Sequence, residues 1–189
     1  MRMCGRARLS TDYSETRIKL KFDPEYPAPN IPASWNVCPT DPMLVAVRSQ
    51  DGKRIPQQMR WGLVPWWAKD IKVGFSSINA RAETVDMTPA FRDAWKKGQR
   101  CLVVTDGFYE WKKPEKQPYA VAMADKGQMV MAGLWEEWTD KKNGGARQEL
   151  YHYNLSAQCA YRHASRSDAG DPGRRGLGEV ARGRACNER

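Results

Sequence analysis

The chain has 189 residues, and its 31 Lys and Arg against 22 Asp and Glu give a formal net charge of +9. A chain of this length can bury the core of one domain without metals or disulfides. It contains no run of roughly 20 apolar residues, as a membrane span needs, and no apolar signal core at its N-terminus. We therefore expect a soluble cytoplasmic protein without a membrane partner. The charge favours polyanionic partners, although it is also common as plain solubility charge.

The cysteines and histidines form no pattern typical of a metal site. Five cysteines are spread without paired short spacing, and only two histidines accompany them. An odd number of cysteines also argues against a disulfide framework. We therefore predict neither a metal nor another cofactor. The residues are Cys4, Cys38, Cys101, Cys159, Cys186, His152 and His163.

The first predicted elements are a loop and two strands. Residues 12–40 are rich in Pro, Asn and Asp, which predicts a loop. The apolar run at residues 42–47 (PMLVAV) predicts a buried strand. Residues 58–65 (QMRWGLVP) predict a second strand that ends at its proline.

The strongest helix signal lies near residue 90. Thr88 offers a hydroxyl for the N-cap, and Pro89 suits the first helical position. Phe91 and Trp95 are four residues apart, and Gly98 follows as a stop. We expect this helix to pack on a sheet.

The following segment is strand-like again. Residues 101–105 (CLVVT) predict a central strand. Residues 119–123 and 129–135 predict a hairpin around a turn at residues 125–127 (DKG). Together the elements predict an α+β fold, a β-rich single domain with a few short helices.

The composition changes near the C-terminus. Beyond about residue 161 the aromatic residues vanish, Arg and Gly dominate, and almost no strand or helix period remains. We therefore assign residues 1–158 to the domain and residues 159–189 to a disordered basic tail. Residues 162–189 contribute +3 of the net charge, so about +6 belongs to residues 1–161.

Cys4 directly follows a methionine and becomes N-terminal once translation starts at Met3 and that methionine is removed. Such a residue carries two adjacent nucleophiles, an α-amine with a pKa of about 7.7 to 8.0 and a thiol of about 8.5. The amine can condense with an aldehyde to a Schiff base, and the thiol can then close a five-membered thiazolidine. On position alone, the interpretation of Cys4 as an ordinary buried small residue is favoured.

Three further motifs follow in order: WGLVPWW at residues 61–67, NARAET at residues 79–84 and DGFYEW at residues 106–111. Together with MCGRA at residues 3–7, they resemble the SRAP family (SOS response-associated peptidase family) across roughly residues 3–150. The resemblance implies a β-rich α+β domain with a positively charged cleft that senses abasic sites in single-stranded DNA. It also implies a monomer that associates with the nucleoid when bound to DNA.

The resemblance assigns roles to individual residues. Cys4 is the expected catalytic nucleophile, Asn79 holds its amine and the sugar, and Glu110 positions or deprotonates the reacting groups. Without the motifs, Asn79 reads as a turn residue and Glu110 as the solvent face of a strand. The expected DNA contacts are Arg6 and Arg81 for phosphates and Trp66, Trp67 and Trp111 for base stacking. Core packing is an equally weighted alternative for each tryptophan.

Two features depart from the family pattern. The chain begins Met1-Arg2-Met3, and methionine is not removed before a residue as large as Arg2, so we predict that translation starts at Met3. The family's active-site histidine lies in a His-x-Arg-Met-Pro motif, which this sequence lacks, since His163 does not match it. A one-base shift over residues 151–172 permits the string ITTTSAPNALIAMLHDRMPVIP, with HDRMP at residues 165–169. We infer a frameshift near residues 149–151; a genuine lineage-specific tail is the alternative.

We consider three functions from different classes, of which the first is the main hypothesis. The first is an abasic-site sensor that forms a covalent thiazolidine crosslink through Cys4. The second is a cysteine-type peptidase that cleaves its own N-terminal extension. The third is a non-covalent binder of single-stranded or modified DNA.

Overall fold

The computed structural model describes residues 5–112, 114, 116–140 and 152–158, the last of these as strand backbone. Three short helices accompany the strands in these residues: α1 (Tyr13–Leu20), a 3₁₀ helix (Ile71–Ser76) and α2 (Arg92–Lys96). None of the helices in the described part of the chain has the length and apolar character needed to cross a membrane. The strands are β1 (Ala7–Leu9), β2 (Ser34–Val37), β3 (Pro42–Arg48), β4 (Arg54–Trp61), β5 (Arg100–Thr105), β6 (Gly107–Lys112), β7 (Gln117–Val121), β8 (Met129–Trp138) and β9 (His152–Gln158). The predicted β-rich α+β class is confirmed.

Five strands close into a barrel in the order β3-β4-β9-β8-β5. Its pairs are antiparallel except for the parallel pair of β4 and β9. Alternate residues of β3, β4, β5 and β8 fill the interior, and Val45 and Val103 are fully buried there. Closure leaves the barrel strands without a free edge, so this part of the chain serves as a scaffold.

The other four strands form an antiparallel sheet in the order β2-β1-β6-β7. Ala7 of β1 lies opposite Phe108 of β6, and both side chains are buried. Ala7 and Val37 belong to the same buried cluster as the barrel residues Val45 and Val103. The sheet therefore packs on the barrel through this face.

Gly107 makes the connection between barrel and sheet possible. It follows β5 by two residues and has a φ of 153°, a region that L side chains rarely adopt. A Cβ at this position would lie 2.4 Å from the Val121 carbonyl oxygen of β7. A glycine is therefore required where the chain leaves the barrel and enters β6.

Two of the strand predictions are confirmed and one is wrong in its bounds. Residues 42–47 and 101–105 lie in the buried strands β3 and β5. The strand predicted at residues 58–65 instead runs over Arg54–Trp61. It ends before its proline because Gly62 turns the chain with a φ of 121°, and a Cβ there would meet the Gly74 oxygen at 2.6 Å.

The prediction of a loop over residues 12–40 is wrong, since this segment contains α1 and β2. Asp12 caps α1 by accepting a hydrogen bond from the Ser14 N–H. The helix buries only Thr16 and Leu20, which are four residues apart. A helix with so narrow an apolar stripe has little hydrophobic periodicity, and the five prolines that follow it in residues 21–40 led to the prediction of a loop.

The helix predicted from Thr88 begins later, at Arg92. Thr88 does not cap it, because its hydroxyl donates to the Thr84 carbonyl at 2.7 Å. The predicted stop at Gly98 is confirmed by its φ of 70°. The helix packs as expected, since Ala94 shares a buried cluster with Leu134 of β8.

The predicted hairpin of residues 119–123 and 129–135 is wrong. A turn does form between them, with Lys126 at a φ of 59° and its N–H bonded to the Met123 oxygen. However, β7 pairs with β6 in the sheet, whereas β8 pairs with β5 and β9 in the barrel. The turn therefore joins two different sheets. The tail predicted at residues 159–189 lies outside the described residues.

Candidate functional site

The N-terminal strand and the DGFYEW motif meet in the four-stranded sheet. The Arg6 carbonyl oxygen accepts a hydrogen bond of 3.0 Å from the Tyr109 N–H. Arg6 is partly buried, and its guanidinium donates to the Gly5 carbonyl at 2.8 Å. The structure thus brings the predicted residue Arg6 beside the strand that carries Glu110 and Trp111. Cys4 lies outside the described residues.

The two faces of this sheet differ in character. Ala7 and Phe108 face the barrel and are buried. Because side chains alternate along a strand, Arg6 and Tyr109 belong to the opposite face. Trp111, two residues beyond Tyr109 on β6, is 45% exposed. This outer face carries cationic and aromatic side chains.

Glu110 is the partly buried acid of this strand. Burial raises the pKa of its carboxyl, and a hydrogen bond with the Trp111 backbone offsets part of that rise. A carboxylate with a raised pKa accepts a proton more readily than an exposed one. Glu110 therefore has the properties of a general base.

Asp106, the first residue of the same motif, has a different role. Its carboxylate accepts hydrogen bonds from the backbone and hydroxyl groups of both Ser10 and Thr11, at 2.5 to 3.0 Å. Burial alone would raise the pKa of Asp106, but these four bonds outweigh it and hold the pKa below its usual value. Asp106 therefore anchors the chain that follows β1 and fixes β1 beside β6.

The second group of predicted residues lies on the loop that follows β4. The Trp61 indole N–H donates to the Ile78 carbonyl oxygen at 2.8 Å. The Ser77 hydroxyl donates to the Leu63 carbonyl oxygen. The Trp138 indole of β8 holds the end of the loop by donating to the Ala68 oxygen at 2.8 Å. The WGLVPWW motif is thus bonded to the two residues that directly precede NARAET.

Trp66 and Trp67 extend from this loop and are 50% and 45% exposed. The Trp66 indole N–H donates to the Asp93 carboxylate of α2 at 2.9 Å. The interpretation of these two tryptophans and Trp111 as core residues is therefore wrong. Their interpretation as base-stacking residues remains a prediction.

Asn79 and Arg81 follow the buried end of the loop. Asn79 is partly buried and takes part in a single β-bridge. It also interacts with a neighbouring group. Arg81 is exposed. The two groups of predicted residues meet through a shared core, because Ala7 and Trp61 belong to one buried cluster against which Ile78 packs. Asn79 therefore directly follows Ile78, which packs against the cluster that contains Ala7 of β1.

Sequence reasoning missed two residues of the outer face, Arg8 and Trp35. The guanidinium carbon of Arg8 lies 5.2 Å from the centroid of the Trp35 ring, which is a cation–π contact. The Tyr109 hydroxyl donates to the Trp35 carbonyl oxygen at 2.9 Å. The alternation of Arg6, Ala7 and Arg8 is the signal that could have placed both arginines on one face.

The described residues contain no group of three or more His, Cys, Asp or Glu side chains that could hold a metal ion.

Comparison with known proteins identifies the relatives of this chain. The model of the family described as SOS response associated peptidase (SRAP) matches residues 3–163. This chain belongs to the SRAP family. The resemblance inferred from its motifs is confirmed.

Several curated relatives resemble the SRAP-family chain in sequence. Abasic site processing protein YoaM of Bacillus subtilis (strain 168) is 36% identical over 140 residues, which cover 72% of this chain and 61% of YoaM. Abasic site processing protein HMCES of Xenopus tropicalis is 32% identical over 151 residues, covering 65% of this chain and 44% of HMCES. The chain thus spans less than two thirds of the length of these relatives.

Solved structures share the fold of the SRAP-family chain. A protein from Bacteroides thetaiotaomicron has a TM-score of 0.68 and 23% identity, with 82% of this chain and 67% of the other covered. A protein from Bordetella bronchiseptica has a TM-score of 0.64 and 22% identity, with 82% and 71% covered. At this level of identity the likeness concerns the fold alone.

Proposed function

We propose that this protein is an abasic site processing enzyme that captures the ring-opened sugar of an abasic site in single-stranded DNA through Cys4. Family membership and the names of the relatives support this function. The observation that carries it is the hydrogen bond from the Tyr109 N–H to the Arg6 oxygen. This bond ties the chain two residues after Cys4 to the strand that bears Glu110.

The proposed reaction has two bond-forming steps. The α-amine of Cys4 attacks the aldehyde carbon, and loss of one water molecule gives a Schiff base. The Cys4 thiolate then adds to the imine carbon, and the imine nitrogen takes up a proton. The product is a five-membered thiazolidine that joins protein and DNA. No leaving group other than water is formed.

Two side chains assist these steps in our proposal. The raised pKa of Glu110 suits it to take the proton that the amine releases. Asn79 holds the amine and the sugar, because an amide donates and accepts hydrogen bonds without titrating. Because side chains alternate along β6, Glu110 lies on the same face as Phe108 and Trp111 lies on the outer face, so the proposed base and the proposed stacking ring are on opposite faces of the sheet.

The DNA strand is held by charge and stacking. Arg6 and Arg81 contact phosphates, while the exposed rings of Trp66, Trp67 and Trp111 stack on unpaired bases. Such contacts carry little base information, so sequence preference is weak. The protein acts as a monomer in the cytoplasm and joins the nucleoid when it is bound to DNA.

The C-terminal segment limits this activity. Residues 159–189 are proposed to have replaced, through a frameshift, a segment that carried the family's histidine. Loss of a general acid or base typically slows a reaction by roughly 10²–10⁴-fold. The crosslink then forms slowly, and restoring the shifted frame over residues 151–172 accelerates it.

The test is a denaturing gel of the protein beginning at Cys4, mixed with an oligonucleotide that contains one abasic site. We expect a denaturation-resistant adduct, its absence in Cys4→Ala, and its retention in the matched control Cys38→Ser. Cys38 is a partly exposed cysteine on a different segment. Salt-sensitive binding without an adduct would contradict the proposal and favour a non-covalent binder.

The peptidase alternative rests on the family description. Its measurement is the N-terminal mass of the chain produced from Met1. Removal of residues 1–3 by the wild type but not by Cys4→Ala would support self-cleavage. An intact Met1 in the natural product would contradict the start at Met3 and the ring chemistry with it.

A further inference from the structure

We propose that Trp35, backed by Arg8, forms a stacking platform for an unpaired base next to the abasic nucleotide. This inference rests on the proposed function and extends the DNA path beyond the residues that the family motifs supply. It concerns the outer face of the sheet, the side opposite the barrel.

The first argument is the geometry of the Trp35 side chain. Trp35 is 63% exposed, more than Trp66, Trp67 or Trp111. The Arg8 guanidinium carbon lies 5.2 Å from the ring centroid and covers one side of the indole. The Tyr109 hydroxyl holds the Trp35 backbone at 2.9 Å. A large ring held from one side and free on the other loses little conformational freedom when a base stacks on it.

The second argument is that two cationic side chains share the outer face with Tyr109. Ala7 and Phe108 pair with their side chains towards the barrel, so Arg6, Arg8 and Tyr109 belong to the outer face. Arg6 and Arg8 are about 7 Å apart along the strand. Arg6, which follows Cys4 by two residues in the sequence, therefore lies on the same face as Arg8 and its contact with Trp35.

The third argument is charge. None of the ion pairs between described residues involves Arg8. The nearby Asp106 carboxylate is occupied by Ser10 and Thr11, and Arg8 reaches only its backbone oxygen, at 3.4 Å. The charge of Arg8 is thus available to a phosphate. A cation beside an exposed indole fits single-stranded DNA, which offers a base and a phosphate in each nucleotide.

The chain contains a matched control pair. Arg100 covers the Trp95 ring at 4.4 Å, and Trp95 is 36% exposed. This pair joins α2 to β5 and does not belong to the four-stranded sheet. Trp95→Ala therefore removes the same type of contact without touching the proposed platform.

The experiment measures equilibrium binding of the full chain by fluorescence anisotropy. The probes are single-stranded oligonucleotides with a tetrahydrofuran abasic analogue, which has no aldehyde and cannot react. One probe has long flanks on both sides, and two others are shortened on one side to a single nucleotide. We expect Trp35→Ala to bind the long probe about tenfold more weakly. The loss should vanish with one of the two shortened probes, and Trp95→Ala should bind like the wild type.

Two further variants separate stacking from charge and from misfolding. Trp35→Phe should keep most of the affinity, whereas Trp35→Leu should lose it, because only the aromatic ring stacks. Arg8→Ala should reduce the slope of log affinity against log salt by about 0.7, the value for one phosphate contact on a single strand. Trp35→Ala should leave that slope unchanged.

Equal affinity of Trp35→Phe and Trp35→Leu, or a loss of the same size with every probe, would overturn the platform. The outcome is independent of the crosslink. If an aldehyde-bearing abasic oligonucleotide gives no adduct while the analogue still binds through Trp35, the proposed chemistry fails and the platform stands. If the adduct forms at full rate and the Trp35 variants bind normally, the platform alone fails.

Discussion

The closed barrel and the four-stranded sheet differ in the side chains that they bury and expose. The barrel buries an apolar interior in which Val45 and Val103 have no exposed surface. The sheet shares one face with that core and presents arginine, tyrosine and tryptophan on the other. The barrel thus supplies a buried core, and in the proposed function the sheet and the loop after β4 supply the groups that contact DNA.

Asp106, just before β6, and Glu110, on β6, also differ in how their carboxylates are bonded. Asp106 is saturated by four hydrogen bonds, and its pKa lies below the usual value. Glu110 is partly buried with a raised pKa. One carboxylate is committed to holding the chain, and the other is available for proton transfer. Substitutions in the two regions should therefore affect different measurements.

The largest expected effect is that of Glu110→Gln on crosslinking. Loss of the proton acceptor should slow adduct formation by roughly 10²–10⁴-fold while leaving the fold intact. The barrel offers a control in Glu136, a buried acid that pairs with Lys97 at 3.0 Å. Glu136→Gln should keep the wild-type rate. Equal rates for Glu110→Gln and the wild type, measured by quenched gel time courses, would remove Glu110 from the chemistry.

Gly107→Ala should disrupt the junction of barrel and sheet. The added Cβ would meet the Val121 oxygen at 2.4 Å in a backbone region that alanine rarely adopts. We expect a loss of about 2–5 kcal/mol in the free energy of unfolding. Gly52 has a φ of 84° with nothing within 4 Å of a built Cβ, so Gly52→Ala should cost only about 1 kcal/mol. Equal losses in denaturant titrations would contradict the role of the close approach.

Asp106→Asn should have the next largest effect on stability. An amide can accept fewer of the four hydrogen bonds, and its NH₂ group faces donors, so we expect a loss of roughly 2–3 kcal/mol. The full loss in the free energy of unfolding is expected at neutral pH. It should disappear as the pH falls through the lowered pKa of Asp106, where the wild type also loses its carboxylate. A loss that is independent of pH would argue against an ionised anchor.

The smallest effect is the opposite pH dependence at Glu110. Because burial raises the pKa of Glu110, folding disfavours its ionised form. This lowers the free energy of unfolding of the wild type only at pH values above the pKa that Glu110 has in the unfolded chain. Glu110→Gln should therefore gain stability relative to the wild type as the pH rises through the raised pKa. Thermal melts at a series of pH values test the sign, and a relative loss over that range would contradict the burial argument.

The sequence predicted the barrel strands better than the sheet. β3 and β5 are continuous apolar runs, and Gly98 marks a helix end by its positive φ. The pairing of β1 with β6 joins residues about 100 positions apart, and no local pattern reveals such a contact. For the same reason β7 and β8 looked like a hairpin although they belong to different sheets.

The candidate site was predicted through the family motifs and not through local chemistry. Asn79 and Glu110 have no distinctive neighbours in sequence, so only the resemblance singled them out. The structure adds Arg8 and Trp35, whose contact depends on a bulge between β1 and β2. A contact that depends on strand register is not readable from residue spacing alone.

The most direct test of the central claim is the intact mass of the crosslinked product. The protein beginning at Cys4 should gain the mass of the abasic oligonucleotide minus one water, without any reductant. Cys4→Ser keeps the amine and loses the thiol, so it should give a stable product only after borohydride reduction of the Schiff base. A reductant-independent adduct of the same mass in Cys4→Ser would contradict the thiazolidine, and no adduct with the wild type would contradict the capture of the abasic sugar.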